Sequence, residues 1–180
     1  VVVSERGVRY YVDLSSGQKT GFYCDQRESR AHVRSLAESG AARRVLDLCC
    51  YSGGFALSAA LGGAQECLGV DSSEAALGLA RRNAELNGVA GACGFVRADV
   101  GDWLREAAAD PAQRGSWDVV VLDPPKLAPN RRALEGAGRK YKKLNERAAA
   151  LVAPGGHLVT CTCSGAMTQS PGAFEGVVRE

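Results

Sequence analysis

Four aspartates recur at the ends of short apolar segments and are the side chains of this sequence best suited to hold a ligand. Asp47, Asp71, Asp99 and Asp123 each end or closely follow a segment rich in valine and leucine. A single aspartate in such a place usually caps a helix or forms a turn. Four in succession predict a row of carboxylates, which suits a ligand that offers a cation and hydroxyl groups and suits a pyrophosphate poorly.

The loop after Asp47 distinguishes between classes of ligand. It reads Cys-Cys-Tyr-Ser-Gly-Gly over 49–54 and has neither the G-x-G-x-x-G spacing of a dinucleotide site nor the Gly-Lys-Ser/Thr of a P-loop. Its two glycines allow close approach of the backbone to a ligand. Asp47 can accept hydrogen bonds from an ammonium group, and Asp71, about 24 residues on, is placed to accept them from ribose hydroxyls. A nucleoside that carries an amino acid and no phosphate fits, and S-adenosylmethionine is such a molecule.

The elements that must position these residues alternate regularly from Arg43 onward. Five short apolar segments are predicted to be buried parallel strands, at 43–48, 67–70, 94–96, 117–122 and 157–161. Helical patterns lie between them, at 53–61, 73–86, 102–109 and 141–152. This order predicts an α/β fold with a doubly wound, mostly parallel Rossmann-like sheet, whose ligand crevice lies at the carboxyl ends of the strands.

The residues before Arg43 are predicted to form a small N-terminal unit. Segments 8–14 and 18–24 are strand-like and flank a Ser-Ser-Gly turn, so we expect a β-hairpin, followed by a helix over 28–38. We therefore divide the chain into residues 1–40, as part of a linking domain, and residues 41–180, as the sheet domain. We also expect the sheet domain to be truncated and its last strands to be missing from this sequence.

The composition excludes disordered and fibrous proteins. The chain of 180 residues is 46% hydrophobic and 23% charged, as in an ordinary globular domain. No run approaches the roughly 18 apolar residues of a membrane span, so no membrane partner is expected. The net charge of +2 conceals an asymmetry, because the segment from Lys126 to Arg147 carries +6 and the remainder −4. We interpret this basic segment as a polyanion-binding face, with a solvated helix face as the alternative.

Seven cysteines without a Cys-x-x-Cys spacing indicate reduced thiols in a cytoplasmic or organellar protein and predict no metal site. Cys163 is the candidate for chemistry. Along a strand read as 156–163, Cys161 and Cys163 share a face, and only Cys163 reaches the strand's end. The remaining cysteines are expected to be buried by packing, namely Cys24, Cys49, Cys50, Cys67, Cys93 and Cys161.

Motifs spread over nearly the whole chain are shared with one family. They are the loop 47–55, Gly69-Val70-Asp71-Ser72, Ala98-Asp99-Val100, Asp123-Pro124-Pro125-Lys126, the segment 21–30, Tyr141-Lys142-Lys143-Leu144-Asn145 and Thr162-Cys163-Ser164-Gly165. Together they resemble the class I S-adenosylmethionine-dependent methyltransferases, and in particular the bacterial-type large-subunit ribosomal RNA cytosine-5 methyltransferases. The resemblance implies an RNA substrate and S-adenosylmethionine as cofactor.

The resemblance also implies roles for individual residues. The methionine part of the cofactor would be held by Asp47, Tyr51, Ser52, Gly53 and Gly54, the ribose by Asp71 and Ser72, and the adenine by Asp99 and Val100. Gln26 and Arg27 would close over the cofactor, which Asp123 and Pro124 also border. Cys163 falls at the position of the nucleophile, and Asp123 at that of the carboxylate that holds the target base. Phosphates would be held by Arg131, Arg132, Arg139, Lys140, Lys142 and Lys143.

The chemistry explains why a thiol is needed. Carbon 5 of cytosine is a poor nucleophile until a thiolate adds at carbon 6, and Lys126 would favour the thiolate. Two alternatives remain open from the sequence. One is a methyltransferase for exocyclic amines, which needs the Asp-Pro-Pro edge and no cysteine, and the other is an RNA-binding protein without catalysis.

Overall fold

Two β-sheets with flanking helices make up the described residues, 1–12, 22–170 and 172–179, of a computed structural model; the side chain of Arg131 lies outside the description. The strands are β1 Val2–Glu5, β2 Val8–Tyr11, β3 Arg44–Leu48, β4 Glu66–Asp71, β5 Cys93–Arg97, β6 Trp117–Leu122 and β7 Val152–Thr160. The α-helices are α1 Arg27–Glu38, α2 Gly54–Leu61, α3 Glu74–Leu86, α4 Val100–Ala109, α5 Leu134–Ala149, α6 Gly165–Thr168 and α7 Ala173–Arg179, with 3₁₀ turns at Cys24–Gln26 and Arg131–Ala133.

The larger sheet has the strand order β5-β4-β3-β6-β7, and all of its pairs are parallel. The chain runs from β3 through β4 to β5 on one side and then returns to β6 on the other side of β3. This reversal is a topological switch point, where ligands bind in open α/β sheets. The predicted fold class and all five predicted strands are confirmed, with shifted ends.

The central strands β3 and β6 are buried on both faces of the sheet, whereas the edge strands β5 and β7 are partly exposed. In β6, Val119 and Val121 pack on one face with α1 and α2, whereas Val120 and Leu122 pack on the other with α4 and α5. Because neighbouring residues of a strand point to opposite faces, a strand between two helical layers must be apolar throughout. Helices α2, α3 and α4 follow the predicted segments closely. Helix α5 begins seven residues before the predicted start, because Ala137 already packs in the cluster that contains Tyr141.

The first segment of the predicted hairpin pairs, among the described residues, with the beginning of the chain, whereas most of the predicted second segment, 18–24, lies outside the described residues. The segment from Val8 does form a strand, but it pairs antiparallel with Val2–Glu5. The turn between them is Arg6-Gly7, with φ of +49° and +84°, and two successive positive φ values suit a tight hairpin turn. Cys24 lies in a 3₁₀ turn, not in a strand. The predicted Ser-Ser-Gly turn falls at 15–17, outside the described residues.

The hairpin packs on the helices of the larger sheet. Its buried side chains Val8 and Tyr10 form a cluster with Leu57 of α2 and Ala84 of α3. Asn83 of α3 connects the two parts through polar contacts, because its Oδ1 accepts from the N–H of Tyr11 at 2.7 Å and its Nδ2 donates to the carbonyl of Ser52 at 3.2 Å. One buried side chain therefore joins the N-terminal unit to the loop over 49–54, which is called the ligand loop below.

Among the described residues, no helix is long and apolar enough to cross a membrane.

Candidate active site

A cavity of about 1440 Å³ lies at the carboxyl ends of the strands of the larger sheet. Segments far apart in sequence contribute to its wall: the turn before α1, the loops after β3, β4, β5 and β6, helix α5 and the segment after β7. The predicted site residues that line it are Gln26, Tyr51, Ser52, Gly54, Asp71, Ser72, Asp99, Val100, Asp123, Pro124, Lys126, Lys140, Lys143 and Cys163. The fold thus brings most of the predicted residues together.

Several predicted residues lie outside the cavity wall. Arg27 is exposed on the first turn of α1, and Arg139 forms an ion pair with Glu135 one helical turn away. Arg132 is exposed, and Lys142 is half-buried on α5. Gly53, within the ligand loop, and Asp47, beneath that loop, are both buried. Of the residues predicted to bind phosphates, Lys140 and Lys143 line the cavity directly.

The ligand loop has an unusual backbone. Cys49, Tyr51 and Gly53 have positive φ values of +63°, +48° and +81°. Its amide groups are held from below, because the N–H of Tyr51 donates to Asp71 Oδ2 at 2.9 Å. A Cβ atom on Gly53 would lie 3.1 Å from the Phe95 ring, in a conformation that other residues rarely adopt. The glycine is therefore required by both conformation and space.

Asp47 lies beneath this loop and is not in the cavity wall. Its side chain is 1% exposed, and its Oδ2 accepts from the N–H of Ala56 at 3.0 Å, in the first turn of α2. Its Oδ1 has no hydrogen-bond partner among the described residues. Burial, with a smaller contribution from the charges of Asp123 and Asp71, raises the pKa of Asp47 to about 7, although the backbone hydrogen bonds lower it. Asp47 fixes the loop to the helix that follows it.

The carboxylates after β4 and β5 both order turns and face the cavity. Asp71 Oδ1 accepts from the N–H of Ser73 at 2.9 Å, and Asp99 Oδ1 caps α4 by accepting from the N–H of Asp102 at 3.0 Å. Each carboxylate oxygen has lone pairs for a second acceptor bond. These two groups can therefore bind the hydroxyl or amino groups of a nucleoside without losing their structural bonds.

A thiol and a carboxylate meet at the other end of the cavity. Asp123 Oδ2 accepts from Gln26 Nε2 at 3.3 Å, and Cys163 Sγ lies 3.8 Å from the carbonyl oxygen of Pro124. Cys163 is exposed, whereas Cys161 is partly buried. Burial, followed by the charge of Asp123, raises the pKa of Cys161 to about 11. Cys163 is thus the accessible thiol here.

Two expectations about the cysteines need correction. Strand β7 ends at Thr160, so Cys163 follows the strand in an irregular segment and is not its last residue. Cys24 is exposed and not buried, because its 3₁₀ turn has no buried residue. Burial raises the pKa of the Cys49 and Cys50 thiols well above the usual range. Exposure within the cavity wall therefore separates Cys163 from the rest.

Sequence reasoning missed some residues of the cavity wall. The ring of Tyr23 meets that of Tyr51 edge to face, with 5.3 Å between centroids, and burial followed by the charge of Asp123 raises the pKa of Tyr23. Arg147 also lines the cavity and donates to the carbonyl of Gly101 at 3.1 Å. Helical spacing would have revealed it, because it lies one turn after Lys143 on the same face of α5. The others are Phe22, Asp25, Arg30, Cys49, Cys50, Phe55, Ser73, Ala75, Ala76, Gly78, Leu79, Arg82, Gly101, Asp102, Arg105, Leu127 and Leu144, while Pro125, part of the Asp-Pro-Pro motif, also lines the cavity.

Strand order, a carboxylate-lined crevice and the absence of a phosphate-binding loop define a Rossmann-like nucleoside-binding domain of the methyltransferase type. A family model described as S-adenosylmethionine-dependent methyltransferase matches residues 1–178. The chain belongs to this family, and its cofactor is S-adenosylmethionine. Across the described ranges, no group of three or more His, Cys, Asp or Glu side chains is placed to hold a metal ion.

Curated relatives share the whole of this chain. It is 47% identical over 182 residues to ribosomal RNA large subunit methyltransferase I of Aeromonas salmonicida and 48% identical over 183 residues to the protein of the same name from Aeromonas hydrophila. Each match covers 100% of this chain and 44% of the relative. The chain therefore spans less than half the length of these relatives.

Solved structures share the fold. SMU.776, a protein assigned to the methyltransferases and solved in complex with SAH, has a TM-score of 0.80 at 26% identity, over 99% of this chain and 45% of its own. The tRNA (uracil-54, C5)-methyltransferase of Pyrococcus abyssi, also in complex with SAH, has a TM-score of 0.52 at 27% identity, over 77% of this chain and 31% of its own.

The cavity fits the cofactor. It offers acceptor carboxylates at Asp71 and Asp99 for hydroxyl and amino groups, and the wall at Gly54 has no side chain. A Cβ there would lie 3.0 Å from the side chain of Arg30, which also lines the cavity, so a larger residue would have to displace Arg30. The cofactor would be held by those of the predicted cofactor-binding residues that line the cavity, namely Gln26, Tyr51, Ser52, Gly54, Asp71, Ser72, Asp99, Val100, Asp123 and Pro124. Asp47 would act through the loop above it.

Proposed function

We propose that this chain is the catalytic part of a large-subunit ribosomal RNA methyltransferase that forms 5-methylcytosine, with Cys163 as nucleophile. The names of the relatives support the RNA substrate. We further propose residues 41–180 as the methyltransferase domain and residues 1–40 as part of a linking domain. An enzyme of ribosomal RNA would act in the compartment where ribosomes are made, which is the cytoplasm or, as the alternative, an organelle.

One observation carries this proposal. The exposed thiol of Cys163 and the carboxylate of Asp123 line the same cavity, in which the cofactor site also lies. A methyltransferase for exocyclic amines needs the carboxylate edge and has no use for an accessible thiol beside it. The thiol therefore favours covalent catalysis over that alternative.

The residues of the site would act in sequence. The thiolate of Cys163 forms a bond to carbon 6 of cytosine, and the electrons of the 5,6 double bond move towards carbon 5. When bound, the cofactor supplies the electrophilic methyl group. After methylation, a base removes the proton from carbon 5 and the thiolate leaves carbon 6, so Cys163 is regenerated.

Polar groups around the thiol would hold the base and favour addition. Asp123 accepts a hydrogen bond from the amino group of the cytosine, or from its ring nitrogen once that nitrogen is protonated on thiolate addition, and Gln26 keeps the carboxylate in place. Lys126 lines the same cavity and favours the thiolate through its positive charge. Pro124 and Pro125 have no backbone N–H and form a rigid edge for the base.

Basic residues would bind the phosphates of the RNA. Lys140 and Lys143 line the cavity and would contact phosphates near the target nucleotide. The other predicted residues would make outer contacts, namely Arg131, Arg132, Arg139 and Lys142. Each phosphate contact should contribute about 0.7–0.9 to the slope of log affinity against log salt, without sequence preference.

Replacing Cys163 tests the proposal. In the full-length protein, Cys163→Ala should abolish formation of 5-methylcytosine in ribosomal RNA, measured by mass mapping of nucleosides. Ribosomal RNA fragments that contain 5-fluorocytidine should trap the wild-type protein as a complex stable in detergent, because fluorine at carbon 5 is not removed as a proton is. Cys24→Ala is the matched control, since Cys24 is also exposed but does not line the cavity.

The outcomes separate the alternatives. Turnover by Cys163→Ala, with the methyl group on the exocyclic nitrogen, would establish the amine methyltransferase instead. Absence of S-adenosylmethionine binding by the full-length protein in calorimetry would establish an RNA-binding protein without catalysis.

A further inference from the structure

A cluster of three hydroxyl groups lies beneath the segment that carries Cys163. The hydroxyl of Tyr141, on α5, is 2.8 Å from Thr162 Oγ1 and 3.0 Å from Ser164 Oγ. Tyr141 and Ser164 are both fully buried. Ser164 also donates its own N–H to Thr162 Oγ1 at 3.2 Å. The residues on both sides of Cys163 are therefore bonded to one phenol.

The same cluster reaches the loop that carries Asp123. Ser164 Oγ accepts from the N–H of Ala128 at 3.0 Å, which fixes the end of the segment after β6. Cys163 Sγ lies 3.8 Å from the carbonyl of Pro124, at the start of that segment. The two loops that face each other across the site are thus joined at both ends.

This cluster holds in place a segment that is not part of a strand. Strand β7 ends at Thr160, so Cys163 has no place in the hydrogen-bonded ladder of the sheet. Besides the contact of the thiol itself with Pro124, the contacts of the two neighbouring residues help to set its position relative to Asp123. Those contacts converge on the hydroxyl of Tyr141.

Helix α5 places this anchor next to the basic wall of the cavity. Lys140 and Lys143 line the cavity on either side of Tyr141 in sequence, and the ring of Tyr141 points into the apolar cluster with Met167 and Phe174. The carbonyl of Tyr141 also accepts from the buried amide of Asn145 at 2.8 Å. One helical turn therefore carries both the proposed phosphate contacts and the anchor of the thiol.

We propose that Tyr141 is a positioning residue, whose hydroxyl holds Cys163 at the correct distance from the carboxylate across the site. This rests on the proposed function, in which Cys163 is the nucleophile. Tyr141 is buried and does not line the cavity, so its effect on the site would pass through Thr162 and Ser164. Loss of its hydroxyl should slow the covalent step and leave the binding of both substrates intact.

Tyr141→Phe in the full-length protein tests this role, because it keeps the ring in its apolar cluster and removes only the hydroxyl. Misplacement of a reacting group by about 1 Å can cost 10²-fold in rate. We expect kcat to fall by about 10- to 100-fold, while the KM for ribosomal RNA and the Kd for S-adenosylmethionine stay within about twofold. Tyr10→Phe is the matched control, since Tyr10 is also fully buried but packs in the cluster of the hairpin and not in that of Tyr141.

A second measurement does not depend on methyl transfer. Alkylation by iodoacetamide, mapped by mass spectrometry, should become faster at Cys163 in Tyr141→Phe, because the thiol is released from the carbonyl of Pro124. Cys24 provides the internal reference, as it is exposed and distant in sequence from the cluster. Thr162→Val should reproduce both effects, whereas Thr162→Ser, which keeps the hydroxyl, should retain most of the rate.

The results distinguish this role from the proposed function. Unchanged kcat and unchanged Cys163 alkylation in Tyr141→Phe overturn the positioning role. Turnover by Cys163→Ala overturns the covalent function, and alkylation of Cys163 then still reports whether the phenol holds the thiol. A fall in melting temperature with proportional loss of both kcat and RNA binding would show a merely structural role and would also overturn it.

Discussion

Replacing Asp47 with asparagine should change how the stability of the protein depends on pH. Asp47 is fully buried, and its pKa rises from 3.8 to about 7. A carboxyl group with a raised pKa binds more protons in the folded than in the unfolded state, so the free energy of unfolding falls as pH rises between those two values. The wild type should lose about 4 kcal/mol of stability through this group between pH 4 and pH 8.

Asparagine keeps the shape of the side chain and does not titrate. Its oxygen can still accept from the N–H of Ala56, and its amide takes the place of the unpartnered Oδ1. At pH 5 the variant should match the wild type or be slightly less stable. Between pH 5 and pH 8, the difference in free energy of unfolding between the variant and the wild type should shift by about 3 kcal/mol in favour of the variant. The reason is that the wild type carries a buried charge at pH 8.

Urea unfolding of the cofactor-free protein at pH 5 and pH 8 measures the difference. Asp110→Asn is the matched control: Asp110 is exposed and accepts a comparable backbone hydrogen bond from Ala112 at 2.9 Å. The same difference between Asp47→Asn and wild type at both pH values would refute the reasoning, because it would mean that Asp47 has an ordinary pKa in the folded protein.

Three further predictions concern packing and thiol reactivity. Gly69→Ala should lower the free energy of unfolding by about 1–3 kcal/mol, because the new Cβ would lie 2.6 Å from the Phe95 ring. Gly78→Ala should instead raise the free energy of unfolding by about 0.5–1 kcal/mol, because nothing lies within 4 Å of its new Cβ. Thermal unfolding of the two variants measures the difference. Asn83→Ala should cost about 2–3 kcal/mol in urea unfolding, since it leaves buried backbone groups of the hairpin and the ligand loop unpaired; wild-type stability would contradict this. Cys161, whose pKa is about 11, should remain unmodified by iodoacetamide at pH 8 and react near pH 11; rapid alkylation at pH 8 would contradict the burial of its thiol.

The sheet could be predicted from the sequence because its central strands, β3 and β6, are apolar on both faces. The runs Val45–Leu48 and Val119–Leu122 contain almost no polar residue, and Asp47, the exception in the first run, lies at the ligand end. The meeting of the carboxylates at the strand ends was also predictable, because parallel strands place their carboxyl ends at one edge of the sheet. Local patterns were sufficient for these features.

Other features depend on contacts between distant residues. The hairpin register follows from Arg6-Gly7, a turn whose φ values no simple pattern specifies, and from docking against Asn83 of α3. The burial of Asp47 and the hydroxyl cluster around Tyr141 join segments 9 and 21–23 residues apart. Sequence spacing alone did not indicate that these groups would meet.

The bond between Asn83 and the hairpin bears on any attempt to shorten the protein. A version that starts after residue 12 would uncover Leu57 and Ala84 and would leave the amide of Asn83 with half of its contacts. The loop at Ser52 would then lose a brace although no residue near the ligand had been altered. Those who design a minimal enzyme for crystallisation should therefore treat the first twelve residues as an integral part of the cofactor-binding unit.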